Sequence, residues 1–195
     1  MNKILLINNA GDENAFRDLH SYLQKHQCPI DVIDGNDPKL ANFNDSPYQA
    51  IILSGGRRWL NYDEIKPEQD LIKTTQTPIF GICYGAQLIA YCFGANPRFK
   101  ELPFKRWGWQ NIKIVQPDNL LQGVQNRFWA FESHQFIMRD FNDNFTLLAE
   151  SSDGPEIFKI KNKPIYGVQF HPEWSDNELD PNPRKILDNF LEKLL

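Results

Sequence analysis

The 195-residue sequence is poor in the residues that build disulfide frameworks, metal centres and membrane spans. Its three cysteines, Cys28, Cys83 and Cys92, leave one over in any disulfide scheme and match no zinc-ligand spacing. A reducing, cytoplasmic setting is therefore expected, with Cys28 and Cys92 as buried filler. No apolar run approaches the ~20 residues of a membrane helix. The short stretch at positions 4 to 7 is followed at once by "NNAGDENAFRD", so neither a signal peptide nor a membrane anchor is expected. Charge of one sign is also lacking: 21 basic and 25 acidic residues give a net charge of -4. That excludes a basic surface for nucleic acid, and the pairs Arg57-Arg58 and Lys105-Arg106 are too small to make one. Internal repeats and low-complexity linkers are absent, which argues against solenoids and tethered modules.

What is present is an ordinary globular composition, 41% hydrophobic and 24% charged, in a chain long enough for one well-buried core. Apolar runs alternate with helical patterns through the first half. "KILLIN" reads as a buried strand, and "IDVID", "AIILSGG" and "PIFGIC" as further strands. Between them, "ENAFRDLHSYLQKH" places Phe16, Leu19, Tyr22 and Leu23 at helical spacing, and "PEQDLIKTT" has Pro67 at a first turn. Strand-helix alternation implies right-handed crossovers and a parallel sheet covered on both faces. After Pro97 the pattern turns strand-like, in "WQNIKIV", "RFWAFESH", "FTLLAES", "EIFKI" and "PIYGVQFH", which predicts an antiparallel or mixed extension. "NPRKILDNFLEKLL" closes the chain as an amphipathic helix with Ile186, Leu187, Phe190, Leu191 and Leu194 on one face. The expected architecture is a single α/β domain over residues 1 to 195.

The stretch "GICYG" places Cys83 between Gly81 and Gly85, the spacing of a nucleophile elbow with cysteine in place of serine. Such a turn strains the backbone at the nucleophile, and glycines remove Cβ clashes where the chain doubles back. The helix that follows points its N-terminus at the sulfur, favouring the thiolate and offering N–H groups to an oxyanion. Taken alone, this frame is equally compatible with a buried structural cysteine. A base is needed, and four histidines are available. His20 and His26 lie on or beyond the polar side of the first helix and are expected to be solvated. His171 opens "HPEW", where Pro172 keeps it out of the helical region. In an extended segment Glu173 would point to the same side as His171 and could orient its ring. The plainer reading is a satisfied histidine at a strand end.

Together "GICYGAQ" and "GVQFHPE", some ninety residues apart, resemble the class I glutamine amidotransferases. "LSGG", "RWGWQNIKI", "FESH" and the final helix extend the likeness over nearly the whole chain, and the tyrosine after the cysteine is most similar to the glutaminase domain of GMP synthetases. The resemblance implies a flavodoxin-like three-layer sandwich with a mixed, mostly parallel sheet. It implies hydrolysis of glutamine to glutamate and ammonia by a Cys83-His171-Glu173 triad through a thioester. Gly56 and Tyr84 would supply oxyanion N–H groups. Gly55, Gln87, Ser133 and His134 would line the substrate. No cofactor and no metal is implied. No acceptor-using domain follows in this chain, so ammonia would pass to a separate synthase subunit. Such glutaminases are commonly slow until the acceptor site is occupied. The alternatives are a free-standing γ-glutamyl hydrolase and a catalytically silent binding module.

Three departures stand out. Arg57 replaces the proline usual after "SGG", and the loop "SGGRRWLNYDE" carries Arg57, Arg58 and Trp59 as candidate partner contacts. Gln135 stands where many relatives have glycine, which matters if a positive φ is required there. "SDNELDPNP" reads as an inserted surface loop.

Overall fold

A computed structural model describes residues 3–11, 13–26, 28–56, 65–95, 100–175 and 179–193. The first half alternates as expected: β1 (Lys3–Asn8), α1 (Glu13–Gln24), β2 (Ile30–Asp34), β3 (Tyr48–Leu53), α2 (Lys66–Thr74), β4 (Ile79–Ile82) and α3 (Tyr84–Cys92). Then follow β5 (Lys100–Ile114), β6 (Arg127–Ile137), β7 (Phe145–Glu150), β8 (Pro155–Ile160), β9 (Ile165–Val168) and α4 (Asn182–Lys193). All nine strands share one sheet, in the order β2-β1-β3-β4-β9-β8-β7-β5-β6. Pairing is parallel from β2 to β9 and antiparallel from β9 to β6.

Side-chain parity along the strands builds the layers. Ile4 and Leu6 of β1, Ile52 of β3 and Phe80 of β4 face one way and meet Leu19 and Leu23 of α1 and Ile186, Leu187 and Phe190 of α4. Leu5, Ile7, Ile51, Leu53 and Ile79 face the other way and meet Leu71 and Ile72 of α2 and Leu88 and Ile89 of α3. The inner parallel strands β1, β3 and β4 are therefore apolar on both faces, which is why they read as unbroken hydrophobic runs, whereas β2 at the sheet edge is only partly buried and alternates with aspartates. Phe190 of α4 packs 5.1 Å from Phe80 between ring centroids. Burying a side chain of that size contributes about 1.5–3 kcal/mol.

The structure corrects several expectations. β5 begins at Lys100, well before Trp109, because Pro103 and Gly108 mark irregularities inside the strand rather than its boundary. The pairing with β6 shifts between Glu101 and Arg106, and Gly108 takes a φ of 133° that glycine tolerates. His26 is not a solvated residue: it lies 3.3 Å from Asp188 and 4.0 Å from Glu192, both on α4. The end of "SDNELDPNP" is built into the fold. Asp180 accepts from the Trp129 and Asn182 backbone N–H groups at 2.7 and 2.9 Å, and Asn182 accepts from Gln125 N–H. This bracket joins β6 to the start of α4, and Ser175 is buried. Gln135 sits within β6 and is not among the described non-glycine residues with positive φ, so the glycine of other sequences is not needed for backbone reasons. Arg57, Arg58 and Trp59 lie outside the described residues.

Candidate active site

The turn from β4 into α3 places Cys83 at the C-terminal end of the parallel strands, at φ 49° and ψ -103°. For a non-glycine residue this is a strained conformation. The flanking glycines explain how the strain is housed. A Cβ on Gly81 would come within 2.7 Å of the Gly85 carbonyl carbon and 2.8 Å of the Ala86 nitrogen. One on Gly85 would meet the Leu53 carbonyl oxygen at 2.5 Å. The chain can fold back this tightly only because both Cβ atoms are missing. The sulfur then sits at the first turn of α3, where backbone N–H groups have no partner within the helix.

His171 is held from four sides. Its backbone N–H donates to Phe131 O at 2.9 Å, fastening it to β6. Trp174 stacks on its ring at 3.9 Å between centroids, inclined by 12°. Gly55 closes the side across the cleft, where any Cβ would lie 2.7 Å from His171 Cε1. Glu173 Oε1 lies 2.8 Å from Nδ1, and the Cys83 sulfur is close enough to act on the ring electrostatically. The reach to Glu173 is made differently from the extended geometry expected. Pro172–Trp174 form a 3-10 turn with His171 as its cap, and that turn brings the carboxylate back under the ring. Burial opposes a charge on His171, but the Glu173 carboxylate and the Cys83 sulfur outweigh it and raise the imidazole to about 10. The imidazolium therefore persists at neutral pH.

A cavity of about 450 Å³ opens over these groups. That is ample for a small amino-acid side chain. Every residue proposed from the sequence borders it: Gly55, Gly56, Cys83, Tyr84, Gln87, Ser133, His134, His171 and Glu173. Their roles differ. Gly56 lies against the backbone of Asn9, where a Cβ would sit 2.3 Å from Asn9 O, so the loop after β3 is seated on the end of β1. The Ser133 carbonyl lies 3.9 Å from the Cys83 sulfur. The His134 side chain is turned into the protein. Its Nδ1 meets Phe136 O at 3.0 Å and its Nε2 meets Glu132 Oε2 at 2.9 Å, so it holds β6 rather than facing Cys83.

Behind His134 lies a polar cluster that the sequence pattern hides. Arg106 donates to both carboxylate oxygens of Asp153 at 2.7 and 2.8 Å and lies 4.0 Å from Glu132. Burial pushes the Glu156 carboxyl well above the usual range, and the charge on Glu132 adds to the shift. Glu132, His134 and Asp153 each place a potential metal-ligand atom within 4.8 Å of the others, but the Arg106 guanidinium supplies the positive charge there. Two further residues join the site unanticipated. Trp174 clamps the His171 ring. Gln169, fully buried, has Nε2 3.7 Å from the Cys83 sulfur and Oε1 3.2 Å from Gln87 Nε2. Gln169 lies two positions before His171, and strand alternation alone would have placed both on one side.

This arrangement can attack a carbonyl carbon with a thiolate, return a proton to a leaving nitrogen and activate water for the second half-reaction. The comparisons agree with that chemistry. The family model described as "Glutamine amidotransferase class-I" matches residues 7–194. A glutamine-hydrolyzing GMP synthase subunit of Methanococcus aeolicus is 32% identical over 188 residues, covering 96% of this chain and 95% of that protein. The glutamine-hydrolyzing GMP synthase of Campylobacter hominis is 34% identical over 155 residues, covering 78% of this chain but 29% of that longer protein. A crystal structure of a GMP synthase subunit from Thermoplasma acidophilum superposes with a TM-score of 0.84 at 26% identity, covering 98% of this chain and 92% of that one. Elbow, base and sheet order thus agree with a match over almost the full sequence, and the chain belongs to the class I glutamine amidotransferase family.

Proposed function

We propose that the chain is the glutamine-hydrolysing subunit of a two-subunit GMP synthase, releasing ammonia for a separate synthetase subunit. The observation that carries this reading is the strained Cys83 at the head of α3, sharing its cavity with a His171 that Glu173 and Trp174 hold in place. The likeness to GMP synthase subunits over nearly their whole length supports the two-subunit form.

In this reading the Cys83 thiolate attacks the side-chain amide carbon of glutamine. The oxyanion that forms is held by the N–H groups of Tyr84 and Gly56. His171 gives its proton to the departing nitrogen, and the C–N bond breaks to leave a thioester and ammonia. The neutral imidazole then takes a proton from water, the hydroxide attacks the thioester, and Cys83 leaves as thiolate with glutamate. Glu173 keeps Nδ1 protonated and the ring aligned throughout. Gln87 spends both hydrogens of its amide nitrogen on Phe136 O and Gln169 Oε1, so its own carbonyl oxygen is the atom left to meet a substrate N–H.

A glutamine analogue with an electrophilic diazoketone side chain tests the assignment. The expected outcome, read by mass mapping, is one adduct on Cys83 and none on Cys28 or Cys92. Burial pushes the Cys92 thiol up to about 12, and Cys28 accepts a hydrogen bond from Gln49 away from the cavity. An adduct on either of those two cysteines with Cys83 untouched would remove the proposed nucleophile.

A further inference from the structure

We propose that Gln169 is a further catalytic residue: its side-chain N–H donates to the Cys83 sulfur and stabilises the thiolate, and Gln87 fixes the amide in that orientation. The inference rests on Cys83 being the nucleophile.

The orientation follows from one atom whose role is not in question. Phe136 O is a backbone carbonyl and can only accept. The Gln87 side-chain atom 3.1 Å from it must therefore be the donor, Nε2. That same nitrogen lies 3.2 Å from Gln169, so the Gln169 atom facing it must be the acceptor, Oε1. The opposite end of the Gln169 amide is then N–H, 3.7 Å from Cys83 Sγ, a separation that suits sulfur's larger radius. His134 Nδ1, which also donates to Phe136 O at 3.0 Å, holds the far end of the chain on β6. Each amide orientation is forced by the one before it.

The donor answers a specific problem. On its β6 side the sulfur faces the Ser133 carbonyl at 3.9 Å. A thiol can donate to that oxygen, but a thiolate is repelled by it. His171 supplies one compensating donor and Gln169 the second. The His171 donor is spent when its proton goes to the leaving nitrogen, whereas the Gln169 amide keeps its protons through the whole cycle. It can therefore stabilise the sulfur again when thiolate leaves the tetrahedral intermediate in the hydrolytic step. Gln169 is buried, and its backbone N–H is tied to Glu156 O on β8 at 2.9 Å, so the amide is held in place before substrate arrives.

The test is the rate of Cys83 alkylation by iodoacetamide as a function of pH, which reads the sulfur directly and needs no glutamine turnover. The titratable groups that border the sulfur's cavity are Tyr84 from α3, His134 from β6, and His171 with Glu173 after β9, with Glu132 and Glu156 behind. None of them is altered in the variants. In Gln169→Met, similar in length but without a donor, the rate at pH 7 relative to the alkaline plateau is expected to fall about tenfold. In Gln169→Glu it falls further, because a carboxylate replaces the amide beside the sulfur. Gln87→Met leaves the Gln169 amide free to turn and gives a smaller fall than Gln169→Met. Thermal melts of each variant report folding separately. A reactive wild type whose pH 7-to-plateau ratio is unchanged in Gln169→Met overturns the inference, even where that variant melts lower. A larger fall in Gln87→Met than in Gln169→Met overturns the order of the relay. A wild-type Cys83 that resists alkylation at pH 7 overturns the nucleophile reading itself, and this inference with it.

Discussion

His171 shows how far one residue's surroundings decide its chemistry. Its ring is buried, which would ordinarily keep it neutral, yet Glu173 and the Cys83 sulfur raise it to about 10. A group that binds its proton more tightly when folded adds stability in full below its unfolded value, ~6.5 for an imidazole, and loses it as pH rises through the folded value. Glu173 and the sulfur both contribute to the shift. Cys83→Ala removes the sulfur's share of the pull, while Glu173 remains. The expected outcome is that Cys83→Ala loses stability as pH climbs from ~6.5 toward, but not reaching, 10, at up to about 1.4 kcal/mol per pH unit. The double variant Cys83→Ala/His171→Gln stays flatter across that window. Thermal melts at several pH values check this, and parallel curves would show that Glu173 does not raise the imidazole. At this scale the candidate residues that share the cavity, Cys83, His171 and Glu173, were legible, because acid-base side chains stand out in "GICYG" and "FHPE". The route from His171 to Glu173 was not, since sequence cannot distinguish an extended pair from a 3-10 turn. Gln169 was overlooked because an uncharged amide carries no acid-base signal, even though it shares the alternation that points to His171.

The strand-to-helix elbow is where local geometry and packing are least separable. Gly85 is pressed against the backbone of β3, and Gly81 against the first turn of α3. At Gly85 the Leu53 main chain is in the way, and at Gly81 the Gly85 and Ala86 main chain stands beside the Ile89 side chain, so turning a side chain aside does not by itself make room. Gly85→Ala and Gly81→Ala are each expected to destabilise the protein by about 1–3 kcal/mol, read from urea midpoints. They should also release the Cys83 strain and slow its reaction with the diazoketone analogue. Wild-type stability and labelling in both would mean that the turn relaxes freely and that the glycines do not hold the nucleophile. The inner strands of the parallel half, β1, β3 and β4, were legible because burial on both faces leaves unbroken apolar runs. β6 was not legible in the same way. Its inward face carries Phe128 and Ala130 but then Glu132 and His134, while Trp129 points outward. Hydropathy alternation there gives the wrong face, because the interior is a buried polar cluster and the exterior is aromatic.

That aromatic exterior belongs to the molecule as a whole. β5 and β6 end the sheet, and their outer face carries Trp107, Trp109, Trp129 and Phe131, with Trp174 alongside. Trp107 is 65% exposed and also borders the cavity, and Trp129, farther along the same face, is 51% exposed. Large aromatics left in water beside a reaction centre are the residue types that anchor interfaces. In the proposed two-subunit enzyme the occupant that fits is the synthetase, since a partner seated on this face would cover the cavity mouth through which ammonia leaves. The sequence pointed to Arg57, Arg58 and Trp59, which lie outside the described residues, because charged and aromatic residues in a turn are conspicuous, whereas tryptophans in a strand read as core. Trp129 separates docking from chemistry, because it does not line the cavity. Its backbone N–H, which holds Asp180, is unaffected by a change of side chain. Glutamate release by the isolated chain is expected to be slow and to rise when the synthetase and its nucleotide substrates are added. Trp129→Ser should leave the unstimulated rate as it is and raise the concentration of synthetase needed for half-stimulation by at least ~10-fold, the scale of an interface anchor. Unchanged half-stimulation would move the docking surface elsewhere. A fast unstimulated rate that the synthetase does not alter would point to a hydrolase that works alone.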